Sequence, residues 1–591
     1  MAPGRVLLNR NPKQSGGLLR DRLRARLDFH LNQIFMRRHP GPLLNRLIAG
    51  MGPLVRLLVP NDKWTLAANL PVWMKALDVA PMLPLPQSRR IFMLCAYRGQ
   101  FTLDFAIAIM LAWRGHHITI GYLPKLQSPI KHPIEDDPSA KPYLADVLAG
   151  VERMSGGRIR CADLSDEVLD EVPLDESFIQ ARVKSDVVMY FQRETLDRGD
   201  PEIGRIWDRF EEQARQSQKL AWNYLGKNRE QFDLCIIANG TTFESAQFCY
   251  VARMMGIPFN THERFAFRKV RTPNHADDFR NFSDLETSWR YRERLGYTGE
   301  PFYTQATDRA FGLLEERRKA SRATWSWTLQ NSPDQTTDQA LAAAGISAGS
   351  TFVLVCPNVP YDAGYDGLLG LFPSMRDWLV DTVRHLLENT SIHVVVRAHP
   401  AEVALGGGKE RSEEILAEFL NHPRMTLIAH DRTVNTYGLM ETCKFGVVFS
   451  STTGLEMAMM GKTVVVGANL YYGRKGYTAE SDNRAEYDAT LTRLAEMEGT
   501  PDLTQRQMLD ARLFHFMLHF VMQWPYPYDK PSDVLTLPFS ELLQSAEMKK
   551  YLPFLDALTL PDAEWHERIS EFLGADGDNH VTATLSDASG R

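Results

Sequence analysis

Two successive series of short apolar runs separated by helical stretches predict an α/β protein of two doubly wound, Rossmann-like lobes. A basic helical leader precedes the lobes and a helical segment follows them. The first series starts near residue 90 and the second near 351, with a polar, small-residue-rich stretch between them at 329–350. At 591 residues the chain is also too long for a single core.

In the first lobe (61–328), the run RIFMLCAY at 90–97 reads as a strand, 101–113 as a helix and 116–123 as a second strand. A strand at 187–191, a long charged helix around 202–226, a strand at 234–238, a helix at 243–255 and a strand at 257–260 continue the pattern. The stretch 329–350 is expected to be a linker. The second lobe (351–500) reads as strands at 352–356, 393–397, 426–429, 445–449 and 463–467, separated by helices at 375–388, 412–420, 434–442 and 453–460. Residues 501–575 are expected to be helical and 576–591 disordered.

The leader, 1–60, carries eleven Lys/Arg against two Asp, a balance of +9, which leaves −15 for the rest of a chain of net charge −6. Leu19, Leu23, Leu27, Leu31 and Ile34 recur at helical spacing among Arg20, Arg22, Arg24, Arg26, Arg37 and Arg38. Such a segment suits an anionic membrane surface, and equally a helical pair packed on the domain with its arginines in water. The acidic body has no base-reading motif, so nucleic acid is not an expected partner. The apolar run 105–113 falls well short of the ~20 residues a membrane span needs. Six scattered cysteines without a C-x-x-C pair read as buried thiols, which places the chain by expectation in the cytoplasm, peripheral to the membrane if the leader docks.

Ligands of doubly wound sheets sit beyond the carboxyl ends of the strands. There HVVVR ends in Arg397-Ala398-His399-Pro400, the proline stopping the strand with His399 at its mouth. FGVVF ends in Ser450-Ser451-Thr452-Thr453-Gly454-Leu455-Glu456, where Thr453 and Glu456 spell an S/T-x-x-E capping box and predict a helix start. Free helix-end N–H groups with neighbouring hydroxyls suit a phosphate or diphosphate. Arg397, His399 and the 450–453 turn supply the donors. Arg474 and Lys475 either add charge from a neighbouring loop or are solvated. Glu456 is the capping partner alone or also a ribose ligand. Gly406–Gly408 lacks the G-K-[ST] ending and reads as a flexible loop.

Several stretches resemble the capsule polysaccharide biosynthesis family, which includes capsular Kdo-transferase-like proteins. They are CPNVPYDAG at 356–364, FPSMRDWLVDTV at 372–383, VVVRAHPAE at 394–402, VNTYGLM at 434–440 and FSSTTGLEMAMMGKTVVVGANLYYGRKGYT at 449–478. The resemblance implies a GT-B fold and an inverting, metal-independent sugar transfer. It also implies donor binding by His399 with Pro400 and by Ser450, Ser451 and Thr452. Such families place an acidic base after a G-I-P strand of the first lobe. Here Gly256-Ile257-Pro258 leads to Glu263, without the second acid or the glycine of the usual motif.

The expected catalytic residues are therefore Glu263 and His399. The expected donor nucleotide site comprises Arg397, His399, Pro400, Ser450, Ser451, Thr452, Thr453, Glu456 and Lys475. Glu263 could instead form a cleft salt bridge with Arg264 or Arg268. No metal ligand set and no cofactor are expected beyond a nucleotide-sugar co-substrate, CMP-activated sugars being among the candidates. The expected acceptor is a polysaccharide or glycolipid. The competing functions are a CDP-alcohol-dependent polymer phosphotransferase, a UDP-sugar epimerase and a non-catalytic capsule assembly or export partner.

Overall fold

Alternate side chains of a strand face opposite ways, and an uninterrupted apolar strand therefore needs cover on both sides. Residues 90–95 behave in this way: Ile91 and Met93 pack into one apolar cluster, Phe92 and Leu94 into another. The computed structural model describes residues 87–95, 98–123, 148–153, 155–164, 167–241, 243–263, 270–278, 281–319, 335–359, 370–402, 410–528, 542–543, 545–576 and 580–586. The leader 1–60, Arg264, Arg268 and the glycine run 406–408 lie outside them.

The first sheet is built on β1 (Arg90–Cys95), β2 (His117–Tyr122), β3 (Ile159–Asp163), β4 (Leu234–Ala238) and β5 (Phe259–Glu263). These run parallel in the order β3-β2-β1-β4-β5. Helix α1 (Arg98–Trp113) covers one face. The opposite face meets α3 (Pro201–Lys227) and α4 (Phe243–Met255). The strand expected at 187–191 is instead the end of α2 (Glu176–Phe191). Its buried Ile179, Val183, Val187 and Phe191 recur every four residues, and Asp175 caps its start through the Phe178 N–H. Then β6 (Val270–His275) adds antiparallel to β5. Helices α5 (Ser283–Arg290) and α6 (Phe302–Arg318) close the first lobe.

The stretch expected as a linker contains a helix, α7 (Thr337–Ala343), started by a Thr336/Gln339 capping box and packed against the second lobe through buried Ala340 and Leu341. The second sheet comprises β7 (Phe352–Cys356), β8 (His393–Arg397), β9 (Met425–Ile428), β10 (Phe445–Val448) and β11 (Val464–Val466). It is parallel throughout, in the order β11-β10-β7-β8-β9. Helices α8 (Met375–Asn389), α9 (Ser412–Ile415), α10 (Thr436–Thr442), α11 (Thr453–Met459) and α12 (Arg484–Glu496) connect and flank these strands.

After α13 (Gln505–Phe516) the chain returns to the first lobe. There β12 (Trp524–Pro525) pairs antiparallel with β6 and extends that sheet. Helix α14 (Leu552–Leu558) follows, and the Leu558 and Leu560 carbonyls accept from the buried Asn260 amide at 2.8 and 2.7 Å. Trp565 of α15 (Asp562–Leu573) stacks on His275 with ring centroids 4.2 Å apart. Within the stretch expected to be disordered, His580–Ser586 forms α16. His580 is buried there and anchored to the Phe572 and Val521 carbonyls. Among the described residues no helix is long and apolar enough to cross a membrane.

Candidate functional site

The second sheet reverses its strand order between β7 and β10, so the connections beyond those two strands diverge and leave a crevice at their carboxyl ends. A shallow open cleft lies there. Cys356 and Pro357 line it from the end of β7, and Arg397, His399 and Pro400 from β8. Ser451, Thr452, Thr453 and Glu456 contribute from β10 and the start of α11. Thr436, Tyr437 and Met440 of α10 form another wall, and Arg317 enters from the last turn of α6.

Within the cleft the groups differ in what they can still do. Arg397 is 2% exposed, and its guanidinium donates to the Ala429 carbonyl at 2.7 Å and to the Arg432 carbonyl and Thr436 hydroxyl at 3.4 Å. It fastens the turn after β9 to α10. Burial first, and the neighbouring Arg397 second, push the His399 imidazole down to about 4. At neutral pH His399 is therefore an uncharged ring that can both donate and accept. The Ser451 hydroxyl donates to the Thr453 hydroxyl at 2.9 Å and accepts from the Thr453 N–H at 3.3 Å. The Tyr472 hydroxyl holds the Ser451 carbonyl from behind.

The expected capping box does not form. The first residue of the cap is Thr452, which makes no side-chain cap bond, and Glu456 turns inward instead. Its carboxylate meets Arg317 Nη1 at 2.9 Å and accepts from the Tyr437 hydroxyl at 3.1 Å. A guanidinium at ion-pair distance offers a carboxylate more than a backbone N–H one turn away can.

Two residues expected at the donor site stand apart from the cleft lining. Ser450 directs its N–H to the Asn358 side chain at 2.9 Å. Lys475 crosses to the first lobe and pairs with Glu286 of α5 at 2.5 Å. Arg474 is an exposed partner of Asp482. In the first lobe Glu263 closes β5, 9% exposed, and accepts from the Asn239 amide at 2.8 Å. Asp104 is buried nearby, 3.7 Å from His262 Nε2 and Arg271 Nη2. Burial pushes its carboxyl up to about 8, against the pull of Arg271.

Cys356, Pro357, Thr436 and Met440 line the cleft without having been expected there, and so do the two residues that hold Glu456, Arg317 and Tyr437. Arg317 lies in the helical run LLEERRK, where it reads as part of a solvated charged face. Tyr437 sits inside a stretch singled out only by resemblance. Glu402, Glu413 and His430 also bring potential metal-ligand atoms within 4.8 Å of one another, but none of the three lines the cleft. The Glu402 carboxylate is engaged by the Ser412 hydroxyl at 2.5 Å.

No curated protein sequence matches the chain. Among solved structures, it is similar to Thermosulfurimonas dismutans KpsC, beta Kdo 2,4 transferase, at 15% identity over 53% of this chain and 89% of that one, with a TM-score of 0.34. The beta Kdo 2,7 transferase of the same KpsC matches at 12% identity over 55% and 89%, with a TM-score of 0.31. The Methanocaldococcus jannaschii UDP-GlcNAc 2-epimerase in complex with UDP-GlcNAc and UDP matches at 9% identity over 71% and 97%, with a TM-score of 0.25. Likenesses this distant say nothing of the chemistry of this chain. The family model for "Capsule polysaccharide biosynthesis protein" matches residues 360–511, which hold most of the cleft's strand ends, so the second lobe carries the capsule polysaccharide biosynthesis signature.

Proposed function

We propose that the chain is a glycosyltransferase that moves a sugar from a nucleotide-activated donor onto a capsule or surface-polysaccharide acceptor, with inversion and without a metal ion. The observation that carries this reading is the cleft at the switch point of the second sheet, where His399 and the Ser451–Thr453 turn converge within the family-matched segment. Neutral donors clustered at strand ends suit the phosphate of a departing nucleotide. The donor set also fits metal-free transfer, because Glu456, the one carboxylate among the described cleft residues, is already committed to Arg317. Glu263, at the carboxyl edge of the first sheet, is the proposed base for the acceptor hydroxyl. We further propose that the protein works in the cytoplasm and that the basic leader docks it on an anionic membrane.

Calorimetry of the full chain with CMP, CDP, UDP and GDP tests the donor site. Saturable binding of one nucleotide is expected, and binding of none would overturn the reading. His399→Ala and Ser451→Ala should each lower sugar transfer by about 10²-fold while leaving the fold intact, as loss of a site donor does. Wild-type turnover in either variant would remove that residue from the mechanism. A CDP-alcohol phosphotransferase would leave CMP and a phosphodiester product, and an epimerase would turn over without acceptor.

A further inference from the structure

The proposed transfer needs positive charge near the donor's phosphate, and the cleft's more obvious basic groups do not supply it. His399 is neutral at working pH, and Arg397 donates from all three guanidinium nitrogens to the protein itself. Lys475 is paired with Glu286 outside the cleft. Arg317 remains. Its helix, α6, closes the first series of elements in the chain, packs along α13 and ends against the second lobe, where Arg318 pairs with Glu441. Arg317 reaches the cleft beside Glu456 and Tyr437.

The contacts of Arg317 leave donors to spare. Nη1 meets Glu456 at 2.9 Å, the Tyr437 hydroxyl lies beside the guanidinium, and the side chain, lining the cleft, keeps 17% of its surface exposed. A guanidinium has five N–H donors in a rigid fork that matches phosphate oxygens. Glu456, 4% exposed and also held by the Tyr437 hydroxyl, fixes the orientation of the fork.

Resting on the reading of the cleft as a nucleotide donor site, we propose that Arg317 is its phosphate-binding residue, carried in on α6 and held in position by Glu456 and Tyr437. Glu456 then orients a cation and is not the ribose ligand its sequence position suggested. The donor site then draws on a residue that precedes the second sheet in the chain.

The test uses the full chain with CMP, UDP and GDP, each compared with its nucleoside, whose weaker binding is read by displacement of the nucleotide. Arg317→Met should weaken the nucleotide by about 10- to 100-fold, the worth of a charge-assisted hydrogen bond, and leave the nucleoside within about 2-fold. Arg317→Lys should recover part of the loss. Should Arg317→Met fail to fold with Glu456 stranded, the double variant Arg317→Met/Glu456→Gln removes both charges, keeps an acceptor for Tyr437, and should show the same selective loss. Equal weakening of nucleotide and nucleoside would make Arg317 a structural prop and overturn the inference. Unchanged nucleotide binding would overturn it too. Wild type that binds no nucleotide would fail the donor-site reading itself, and the inference with it.

Discussion

Gly454 leaves the space in which the turn after β10 closes. A Cβ there would lie 2.5 Å from the Tyr472 hydroxyl and 2.9 Å from Val448 Cγ2. The same hydroxyl holds the Ser451 carbonyl, so displacing Tyr472 loosens the hydroxyl cluster at its base. Gly454→Ala should cost about 1–3 kcal/mol, as overpacking of a tight site does, read as a lower midpoint in chemical denaturation. At the cleft's edge, the depressed imidazole of His399 predicts a transfer rate without a His399 inflection between about pH 5 and 8. A bell whose acid limb near 6.5 disappears in His399→Gln would contradict that. In the first lobe Asp104 is only 1% exposed, which puts it out of reach of an acceptor hydroxyl and leaves Glu263, at the end of β5, the proposed base. Glu263→Gln should bind nucleotide normally and lose transfer; normal turnover would assign the base elsewhere. His399 and Ser451–Thr453 were legible because proline and hydroxyl runs mark strand ends. Arg317 was not, because nothing local separates an arginine that enters a cleft from one in water.

Helix α8 is capped twice, once within its own lobe and once from the other. Ser374 accepts from the Asp377 N–H at 2.9 Å. Glu194, from the loop after α2, accepts from the Met375 and Arg376 N–H groups at 3.1 and 3.0 Å. In return Glu410 of the second lobe accepts from the Glu194 and Thr195 N–H groups at 2.7 and 3.1 Å. Burial pushes the Glu194 carboxyl from its ordinary 4.5 up to about 7; the α8 amides oppose this, and Glu410 and Asp377 add to it. Between those values the folded chain keeps a proton that the unfolded chain has released. This contribution to stability is therefore complete below about pH 4.5 and is lost as pH rises through 7. Glu194→Gln should flatten that part of the slope, measured by urea unfolding at pH 5, 6, 7 and 8; an unchanged slope would show that Glu194 does not titrate there. No pattern in either segment announces a cap made between lobes. Element types were easier to read. The strands 234–238 and 352–356, apolar throughout, and 393–397, with its three central valines, match the structure end to end. The run ending α2 reads as a strand because Val187, Val188, Tyr190 and Phe191 are β-formers, while the four-residue recurrence behind them decides the outcome.

At the scale of the molecule, the two sheets are legible as two alternating series, but the path of the chain after residue 505 is not. Periodicity reports a helix's apolar face and not the lobe that receives it. The leader has its own test: deletion of 1–40 should leave nucleotide binding intact and weaken attachment to anionic liposomes, an attachment that salt should also weaken. Equal liposome binding with and without the leader would reject the docking. The tail makes a stronger demand on the fold. Trp524 and Trp565 are almost wholly buried against the first lobe, Phe554 and Leu555 of α14 are fully buried, and β12 supplies the edge next to β6. Asn260 and His275 inside that lobe find their carbonyl partners on α14 and the residues just after it. A chain ending at residue 520 would strip Asn260 of both carbonyl partners and His275 of one of its two, and would leave a broad apolar face in water, an established route to large destabilisation. Such a truncation should therefore unfold the first lobe, seen as rapid proteolysis of residues 90–320 and loss of near-ultraviolet circular dichroism. A truncated chain that resists protease like the full one would show that the first lobe folds without its returning tail.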